Sequence, residues 1–418
     1  MYNKRMTKTI LHCDLNNFYA SVEQKLHPEY DGLPLAVCGN PEVRHGIVLA
    51  KNQLAKQAGI QTGEAIWISK KKCPNIVFVP PHYDEYVKYS KQVFEIYTTF
   101  TDKVESFGID ECWLDVTGSL KLFGKTGEEL ANIIRETVKK KTGLTISVGV
   151  SFTKTLAKLG SDLKKPDAVT VLDKEHYMER IGDLAPNEMI MIGRRTAQKL
   201  TYLNIRTISD LANADVALLR SHFGVVGENL INEARGEGDD KVAKYFEHTV
   251  PKSVSNGTTT PRDITTFEEA KVVVYALAEL VAVRLRSHNL VANGVGIYLK
   301  NNQFDGVTKQ IALKTPTSNA STIAKSALDT MKAIYNFNQP LRAITVAAIR
   351  LTGDSEYQIS LFEEDNEERE EKLEKSVDKI RDKYGYRAIK RGVVLKNDLT
   401  GNLHEDDDFR PFHQSKTT

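Results

Sequence analysis

The sequence predicts an α+β protein of several domains, and three observations indicate this. At 418 residues the chain is too long for a single hydrophobic core, so two to four domains are expected. The first 180 residues order their strand and helix patterns as β-α…α-β-β-α-β, which is typical of a ferredoxin-like sheet that carries an insertion. A second β-α-β-β-α-β pattern occupies residues 252–353.

The individual segments support this order. The alternating stretch TILHCDL predicts a strand, and the following NNFYASVEQKL has helical spacing up to Pro28. The stretch 84–103 predicts a helix, GEELANIIRETVKKKTG predicts another, and TISVGV predicts a buried strand. Residues 184–236 predict short helices interrupted by glycine, and GEGDDKVAK predicts a linker. After residue 353 only EEREEKLEKSVDKIRDKYG predicts order, as a charged and solvated helix.

Composition indicates a cytoplasmic protein that meets a polyanion. The net charge is +2, but residues 351–418 carry a net −5, so the rest of the chain is basic. A basic body with an acidic tail is typical of a nucleic-acid binder with a separate protein-facing tail. The four cysteines are scattered without a CxxC pair, which favours a reducing compartment over disulfides or zinc. Neither a signal peptide nor an apolar run long enough to span a bilayer is apparent, so no membrane contact is expected.

Two adjacent acids, Asp110 and Glu111, stand in the otherwise apolar run SFGIDECWLD. In a regular strand they would point to opposite faces, and one of them would be buried at a high cost. A tight hairpin at FGIDECW would instead allow both to share one edge of the sheet, where Asp14 ends the first strand. Converging carboxylates need a cation, and oxygen ligands favour magnesium or manganese in a two-metal site for phosphoryl transfer. Two surface acids and a helix N-cap are the alternative.

The stretches HCDLNNFYASVE, SFGIDECWLD and VGVSFTKTLAKLGSDLKKP resemble, in order and spacing, the three catalytic motifs of Y-family translesion DNA polymerases of the DinB/UmuC class. The segment FGIDECWLD most resembles the corresponding motif of the UmuC- and UvrX-like branch of Gram-positive bacteria and their phages. The resemblance implies a right-hand polymerase with a ferredoxin-like palm, small fingers, a helix-hairpin-helix thumb and a β-α-β-β-α-β little finger. The implied boundaries are 1–17 and 83–180 for the palm, 18–82 for the fingers, 181–236 for the thumb, 237–251 for a linker, 252–353 for the little finger and 354–418 for an acidic tail.

The resemblance also implies roles for the residues around the acids. Asp14 and Asp110 would bind two Mg²⁺ ions, or Mn²⁺ in their place, Glu111 would complete the catalytic metal's shell, and the Leu15 carbonyl would touch the nucleotide-side metal. Tyr19 falls on the steric gate that excludes a ribose 2′-OH. Further substrate-binding residues are implied beside this gate and along the triphosphate: Phe18, Gln53, Lys56 and Lys165.

The triphosphate positions depart in part from the family pattern. The family often has a tyrosine and an arginine in the finger segment, where AKNQLAK places Gln53 and Lys56. Glutamine is neutral and lysine offers no bidentate fork, so triphosphate binding is expected to be weaker or shared differently. Lys164 competes with Lys165 for the phosphate role. Ile47 and Leu49 would roof the nascent base pair.

The DNA-binding residues implied by the resemblance lie in the thumb and the little finger. MIGRRTAQKL resembles a helix-hairpin-helix whose usual first glycine is Met191, and HFGVVGENL resembles a second copy. Such motifs grip phosphates without reading sequence. The implied thumb contacts are Gly193, Arg194, Arg195, Lys199 and Gly227. The candidate phosphate contacts of the little finger, for which a solvated charged face is the alternative, are Lys252, Arg262, Lys300 and Lys309.

The segment QISLF, residues 358–362, resembles the bacterial sliding-clamp peptide. Gln358, Leu361 and Phe362 would be its anchors, and peptide-in-groove binding to the clamp would supply processivity through effective concentration. A core contact of Leu361 and Phe362 is the alternative. The other expected partners are primer-template DNA, dNTPs and, as an open alternative for the tail, a UmuD-like or other SOS partner; a monomer is expected.

The sequence therefore predicts a template-directed, low-fidelity DNA polymerase for translesion synthesis in the DNA damage (SOS) response, a source of mutagenesis and a part of DNA repair. One rival is a weakly catalytic, partner-dependent UmuC-like subunit that acts through the clamp. The other is a nucleotide cyclase, which also uses paired acids on a ferredoxin-like palm. The thumb-like hairpins, the second β-α-β-β domain and QISLF argue against a cyclase.

Overall fold

The computed structural model of the chain describes residues 8–40, 46–238, 240–245, 247, 250–353, 366–385, 388–395, 397–400 and 403. The described residues fall into two compact units. The first contains residues up to Gly39 and from Ile47 to Glu247, and the second contains residues from Val250 to Leu403. Among the described residues, no helix is long and apolar enough to cross a membrane.

The first unit contains a five-stranded sheet, a three-stranded sheet and twelve described helices. Its strands are β1 (Ile10–Leu15), β2 (Leu35–Cys38), β3 (Val48–Lys51), β4 (Val77–Val79), β5 (Val104–Ser106), β6 (Glu111–Asp115), β7 (Ile146–Ser151) and β8 (Val169–Val171). Its helices are α1 (Phe18–Leu26), α2 (Gln53–Gln57), α3 (Ile66–Lys72), α4 (Tyr83–Thr98), α5 (Ser119–Phe123), α6 (Gly127–Thr142), α7 (Lys154–Leu163), α8 (Tyr177–Ile181), α9 (Arg194–Tyr202), α10 (Ile208–Asn213), α11 (Val216–Phe223) and α12 (Val225–Ala234).

The five-stranded sheet has the order β5-β6-β1-β7-β8, with β1 in the centre. All six residues of β1 are buried, because helices cover one face and α7 covers part of the other. The amphipathic helix α6 begins at a capping box of Thr126 and Glu129 and ends at Gly143 in the left-handed conformation. Its apolar face joins α4 and the sheet in one core cluster. This order confirms the predicted α+β, ferredoxin-like class.

The approach of α7 to the sheet depends on glycine. A Cβ atom on Gly149 of β7 would lie 1.9 Å from the Ala157 carbonyl oxygen and 2.5 Å from the Ser161 nitrogen. Gly160 of α7 lies on the same contact, where its Cβ position is 3.3 Å from the Gly149 Cα. Only glycine allows the two backbones to meet at this distance, and this contact fixes where α7 presents its side chains to the end of β1.

The three-stranded sheet, of order β3-β2-β4, is inserted between α1 and α4. Asn52, which is buried, joins its parts: the Oδ1 atom accepts hydrogen bonds from the Leu35 and Ala55 N–H groups, and Nδ2 donates to the Leu33 carbonyl at 2.7 Å. Asn52 is thereby the N-cap of α2 and a bridge to β2. The helices α8 to α12 form a separate apolar cluster with the start of α7.

The second unit is a four-stranded antiparallel sheet of order β11-β10-β12-β9 with helices packed on one face. Its elements are β9 (Ser253–Ile264), α13 (Phe267–Ser287), β10 (Leu290–Asn301), β11 (Gly306–Thr317), α14 (Ala320–Ile334), β12 (Leu341–Gly353) and α15 (Asn366–Tyr384). Inward side chains of the strands pack against α13 and α14. The strand register places small or polar residues on the other face, including Ser255, Gly257, Gly296, Thr345 and Ala347.

The helix α15 is anchored, which differs from the solvated helix that the sequence predicts. Its side chains form ion pairs with the α13 helix, such as Arg286 with Asp378 at 2.6 Å. Arg391, beyond α15, closes the network by contacting Glu279 and Glu374 at 2.7 Å each. Buried charges of this kind are stable only when paired, so the acidic composition of the segment is in part the complement of Arg286 on α13 rather than a solvated surface.

We predict that Gly149→Ala destabilises the first unit by about 3 kcal/mol, because the added methyl group overlaps the α7 backbone. Urea unfolding followed by circular dichroism measures the effect. Gly118→Ala is the matched control, since an added Cβ there meets nothing within 4 Å. Equal midpoints for the two variants would contradict the proposed dependence on backbone contact.

Candidate functional site

The adjacent acids lie on a hairpin, as the sequence indicates. Strands β5 and β6 pair antiparallel, residues 107–110 form the turn between them, and the Phe107 N–H donates to the Glu111 carbonyl at 2.9 Å. Glu111 is the first residue of β6 and lies directly opposite Asp14 in the β1–β6 register. Asp110 stands in the turn, and its carbonyl accepts a hydrogen bond from the Leu15 N–H at 3.1 Å. The three carboxylates and the Leu15 backbone therefore meet at one edge of the sheet.

Burial and like charge act together on two of these acids. Burial, together with the neighbouring charges of Asp14 and Glu111, raises the pKa of Asp110 to about 7. Burial also raises the pKa of Asp14, against the opposing influence of Lys165. The edge therefore holds more negative charge than the protein surroundings alone stabilise well.

Two lysines from the α7 region offset part of this charge. The Lys165 Nζ lies 2.6 Å from Asp14 Oδ2 and 2.7 Å from Asp162 Oδ1. The Lys158 Nζ lies 2.8 Å from Glu111 Oε2 and 3.3 Å from Asp14 Oδ2. Burial would lower the pKa of both lysines, but the surrounding carboxylates outweigh it and raise both pKa values. Both lysines therefore carry a positive charge into the acidic edge.

A buried histidine contacts the Glu111 carboxylate. His12 is fully buried, its Nδ1 lies 2.9 Å from Ser161 Oγ, and its Nε2 lies 3.3 Å from Glu111 Oε2. Burial lowers the pKa of His12, so the imidazole is neutral. Burial acts to raise the pKa of Glu111, but the contacts with His12 and Lys158 outweigh it and lower that pKa to about 2. Glu111 thus remains ionised throughout the pH range in which Asp110 titrates.

The loop that carries Lys165 is tied to the end of β1 through Asn16. The buried Asn16 side chain donates to Ser147 Oγ at 2.9 Å and accepts from the Asp167 N–H at 2.8 Å. The Asp167 carboxylate is held in turn by Arg135 at 2.6 Å and by Lys139 at 2.8 Å. These contacts fix the backbone two residues after Lys165, and they explain why its ammonium reaches Asp14.

The donors at this edge suit a hard divalent cation. They are carboxylate and carbonyl oxygens, which magnesium and manganese prefer. Among the residues that the structure describes, no group of three or more His, Cys, Asp or Glu side chains is already arranged to hold a metal ion. The lysine ammonium groups lie among the carboxylates instead and supply the positive charge. The convergence of three carboxylates beside the Leu15 backbone is the observation that fits a cation at this edge.

Tyr19 is the second residue of α1, the helix that follows β1 and its acidic edge. Its ring stacks on Tyr86 of α4, with centroids 4.1 Å apart and an interplanar angle of 11°. The ring is half-buried, and burial raises the pKa of Tyr19 to about 12, with Asp110 contributing. Phe18 differs from the expectation of a substrate contact, because its side chain is only 3% exposed and packs into the core. Phe18 can therefore pack against the Tyr19 ring, but its own side chain is not accessible to a substrate.

The predicted finger residues lie on α2. Gln53 is its first residue and is partly exposed, while Lys56 is exposed in its last turn. Burial lowers the pKa of the nearby Lys51, and the charge of Lys56 lowers it further. Ile47 is 43% exposed and precedes β3. The insertion therefore adds positive charge at α2 but offers no guanidinium group there.

The hairpins of the helical cluster only partly match their predicted roles. Gly193 is the N-cap of α9, and this glycine, Arg194, Arg195 and Lys199 are exposed. Gly227 is buried instead, since a Cβ atom there would lie 2.4 Å from the Leu219 carbonyl oxygen. Its function is close packing of α11 against α12. The exposed glycine of this hairpin is Gly224, in the left-handed region with φ of 64°.

The charged candidates of the second unit have different surroundings. Arg262 pairs with Asp398 at 2.6 Å and with Glu269 at 2.7 Å, so its charge is already offset. The Lys300 Nζ lies 4.9 Å from the centre of the Phe304 ring, and Lys252 and Lys309 are exposed. The predicted clamp peptide, with Gln358, Leu361 and Phe362, lies outside the described residues.

Three residues of the site were not predicted from the sequence: His12, Asn16 and Lys158. Each stands inside a motif that the sequence offers, but its partner is distant in the chain. Lys158 precedes Asp162 by one helical turn, and this spacing signals an ion pair but gives no sign of Glu111. His12 alternates with Asp14 along β1, which places both on one face of the strand.

Comparison with known proteins now defines the class. A family model described as the impB/mucB/samB family matches residues 13–162, and the model of its C-terminal domain matches residues 251–361. A solved Y-family DNA polymerase, a chimera of Dbh and Dpo4, has the same fold, with a TM-score of 0.72 at 23% identity over 82% of this chain and 98% of that one. The fold is that of a right-hand polymerase, as the sequence predicts.

The particular family follows from the relatives. A protein named DNA polymerase IV from Acetivibrio thermocellus is 44% identical over 94% of this chain and 98% of its own length. Proteins of the same name from Moorella thermoacetica and Clostridium acetobutylicum are 37% and 34% identical over 93% and 94% of this chain. The chain belongs to the impB/mucB/samB family of Y-family DNA polymerases. The UvrX-like branch stays a prediction, because these names do not test it.

We predict that Asp110→Asn stabilises the metal-free protein at pH 8 by on the order of 1–2 kcal/mol, because it removes a crowded carboxylate. In the unfolded chain an aspartate ionises near pH 4, whereas burial and like charge hold the native pKa of Asp110 at about 7. The native state therefore loses stability as pH rises from 4 to 7, and asparagine avoids this loss. Thermal unfolding in EDTA at pH 4.5 and pH 8 measures the difference, which should be clearly smaller at the lower pH.

The control is Asp115→Asn, at the far end of β6, the strand that follows the Asp110 turn. Lys103 and the Thr117 N–H hold the pKa of Asp115 low despite its burial, so this variant should be less stable than wild type at pH 8. A loss of stability in both variants would mean that charge crowding does not govern Asp110.

Proposed function

We propose that the chain is a template-directed, low-fidelity DNA polymerase that performs translesion synthesis and transfers a nucleotidyl group from a dNTP to a primer 3′-OH. The observation that carries the proposal is the convergence of Asp14, Asp110 and Glu111 beside Lys165 at one edge of the sheet. Nucleotidyl transfer needs positive charge at the attacking oxygen, at the phosphorus and along the triphosphate. The edge provides carboxylate and carbonyl oxygens that can bind cations, and Lys158 and Lys165 contact the carboxylates.

The acids would hold the metal ions. Asp14 and Asp110 would bind both, Glu111 would bind the one at the primer 3′-OH, and the Leu15 carbonyl would bind the one at the nucleotide. Bound Mg²⁺ or Mn²⁺ lowers the pKa of the 3′-OH and stabilises charge on the transferred phosphoryl group. His12 would orient Glu111 through the contact between its Nε2 and Glu111 Oε2 at 3.3 Å. The ring is neutral, so it adds no charge to the edge.

The lysines would exchange partners when the nucleotide binds. Lys165 and Lys158 contact carboxylates in the structure, and each is held charged by them. A cation between the acids would release these ammonium groups, and the triphosphate would offer them oxygen acceptors. Gln53 and Lys56 would add finger-side contacts, with Lys56 as a point charge. Tyr19 would exclude a ribose 2′-OH, with Tyr86 and Phe18 holding its ring.

Duplex DNA would lie along the helical cluster and the second sheet. We propose that residues 181–236 form the thumb and 252–353 the little finger, with the palm at 1–17 and 83–180 and the fingers at 18–82. The turns before α9 and between α11 and α12 are exposed, which suits phosphate contact by backbone N–H groups. The outer sheet face carries glycine, serine, threonine and alanine, which allow a close approach of a DNA backbone.

The proposed partners are primer-template DNA, dNTPs and the bacterial sliding clamp, bound through Gln358, Leu361 and Phe362. The acidic residues around this segment would keep it off DNA, and clamp tethering would raise the local concentration of the enzyme at the primer. We propose a cytoplasmic monomer that acts in DNA damage tolerance. The role of a UmuD-like or other SOS partner stays an open alternative for the tail.

The two rivals are weaker. A nucleotide cyclase would need neither the helical hairpins nor the second sheet, and the family assignment spans both halves of the chain. A weakly catalytic UmuC-like subunit is disfavoured because Asp14, Asp110 and Glu111 are all present and meet at one edge. The relatives that match over nearly their whole length are named DNA polymerase IV.

Primer extension tests the proposal. Purified wild-type protein with Mg²⁺, a primed template and single dNTPs should add the complementary nucleotide, and Asp110→Ala should lose at least roughly 1,000-fold in rate because a metal ligand is absent. Asp115→Asn, outside the edge, should retain the wild-type rate under folding conditions. Lack of extension by wild type, even with the clamp loaded, would favour the partner-dependent subunit.

The steric gate makes a separate prediction. Tyr19→Ala should raise rNTP incorporation relative to dNTP incorporation by roughly 100-fold, about 3 kcal/mol of transition-state discrimination, because the ring no longer meets the 2′-OH. Single-nucleotide kcat/KM values for matched rNTP and dNTP measure the ratio. Tyr19→Phe is the control and should keep the wild-type ratio, since the ring and its stacking on Tyr86 remain. An unchanged ratio in Tyr19→Ala would remove Tyr19 from this role.

A further inference from the structure

One large aromatic side chain of the inserted subdomain is exposed without an evident structural reason. Trp67, on α3, is 62% exposed, whereas Trp113, the other tryptophan of the chain, is only 4% exposed. The Lys71 Nζ lies 5.0 Å from the centre of the Trp67 ring, so a cation already lies on this aromatic surface. An exposed indole costs free energy in water unless a ligand covers it.

The surroundings of Trp67 are strongly basic. Residues 47–76 contain five lysines and one glutamate. Two of these lysines are engaged within the subdomain, since Lys72 contacts Glu64 at 2.6 Å and Lys51 contacts Thr62 Oγ1 at 3.0 Å. Lys70 and Lys71 are exposed on the same short helix as Trp67. A flat aromatic ring flanked by exposed lysines is complementary to a base and its phosphates.

The position of α3 relates this surface to the proposed polymerase site. Ala65, just before α3, forms an antiparallel bridge with Ile47, the proposed roof residue. The Val48 N–H also donates to the Glu64 carbonyl at 2.9 Å. The same strand β3 continues to Ala50, which packs in one cluster with Tyr19. The backbone therefore joins α3, which carries Trp67, to Ile47, the proposed roof residue of the nascent base pair.

We propose that Trp67 stacks on an unpaired template base located 5′ of the templating base, and that Lys70 and Lys71 contact the flanking phosphates. The proposal rests on the polymerase function proposed above. A copying enzyme must present single-stranded template at the roof of its site, and a stacking platform accepts any base because every base has a π face. The surface would hold the incoming template without reading its sequence.

The exposed ring of Trp67, rather than the charge of the surface, favours nucleic acid over an acidic peptide. An acidic peptide would also suit the lysines, but it would offer no flat ring to the exposed indole. Stacking therefore predicts a dependence on the presence of a base at one defined template position, which an acidic peptide cannot imitate. That dependence is the quantity to measure.

Binding and tryptophan fluorescence test the proposal on matched primer-templates. One template ends at the templating base, a second extends six nucleotides beyond it, and a third has the same length with abasic sites at the first two positions beyond it. Because Trp113 is buried, quenching that depends on the overhang reports Trp67. We expect quenching by the second template alone, and a ratio of affinities for the long over the short overhang that falls about tenfold in Trp67→Ala.

Two further variants serve as controls. Trp67→Phe should lose the fluorescence signal but keep most of the affinity ratio, because phenylalanine still stacks. Leu122→Ala, at another exposed apolar position (83% exposed), should leave the ratio unchanged. The combined variant Lys70→Ala, Lys71→Ala should weaken the dependence of long-overhang affinity on salt concentration, since two phosphate contacts are lost.

The outcomes separate this proposal from the polymerase function. Extension by wild type on the short overhang establishes the polymerase independently of Trp67. If wild type extends but the affinity ratio is the same in Trp67→Ala, or if the abasic template quenches as strongly as the intact one, stacking at Trp67 is refuted. Binding of poly-glutamate that requires Trp67, together with an unchanged DNA affinity ratio, would assign the surface to a protein partner and overturn the proposal.

Discussion

The structure depends on the placement of three carboxylates at one edge of a buried sheet. Asp14 ends a strand whose six residues are all buried, and Glu111 lies opposite it in register. Such an arrangement is unfavourable by itself, and burial together with the neighbouring charges raises the pKa of Asp110. Lys158 and Lys165 offset part of the negative charge. In the proposed enzyme, a cation and a triphosphate would take over the contacts that these ammonium groups make.

The rest of the first unit holds those lysines in place. The glycine contact between β7 and α7 brings Lys158 to the end of β1, and Asn16 binds the backbone beside Lys165. Both supports are rigid. One is a close contact between two backbones, and the other is a buried amide side chain that makes two hydrogen bonds. Lysine side chains are flexible, so their bases must be fixed if their ammonium groups are to exchange between carboxylates and phosphates without movement of the fold.

The sequence predicted the elements better than it predicted the contacts between them. The hairpin at Asp110 was predictable because a carboxylate pair inside an apolar strand has few stable alternatives. His12 was not, because a buried histidine in a strand resembles any polar core residue until Glu111 and Ser161 are known to surround it. The burial of Gly227 and the anchoring of α15 escaped prediction for the same reason. Both depend on partners brought close only by the fold, and for α15 these lie about 90 residues away in the chain.

The distribution of positive charge has a consequence for the proposed enzyme. The proposed palm contributes Lys158 and Lys165 from α7 and its adjoining loop, whereas the proposed fingers contribute Gln53, Lys56 and no guanidinium group at α2. Tight binding of the triphosphate would therefore depend more on the palm than on finger contacts. A finger subdomain relieved of this task can use its remaining lysines on another polyanion. With Trp67 stacked on template as proposed, Lys70 and Lys71 would make the template that polyanion. The departure from arginine and the exposed indole would then have one physical explanation: the proposed fingers grip the strand that is read more than the nucleotide that is added.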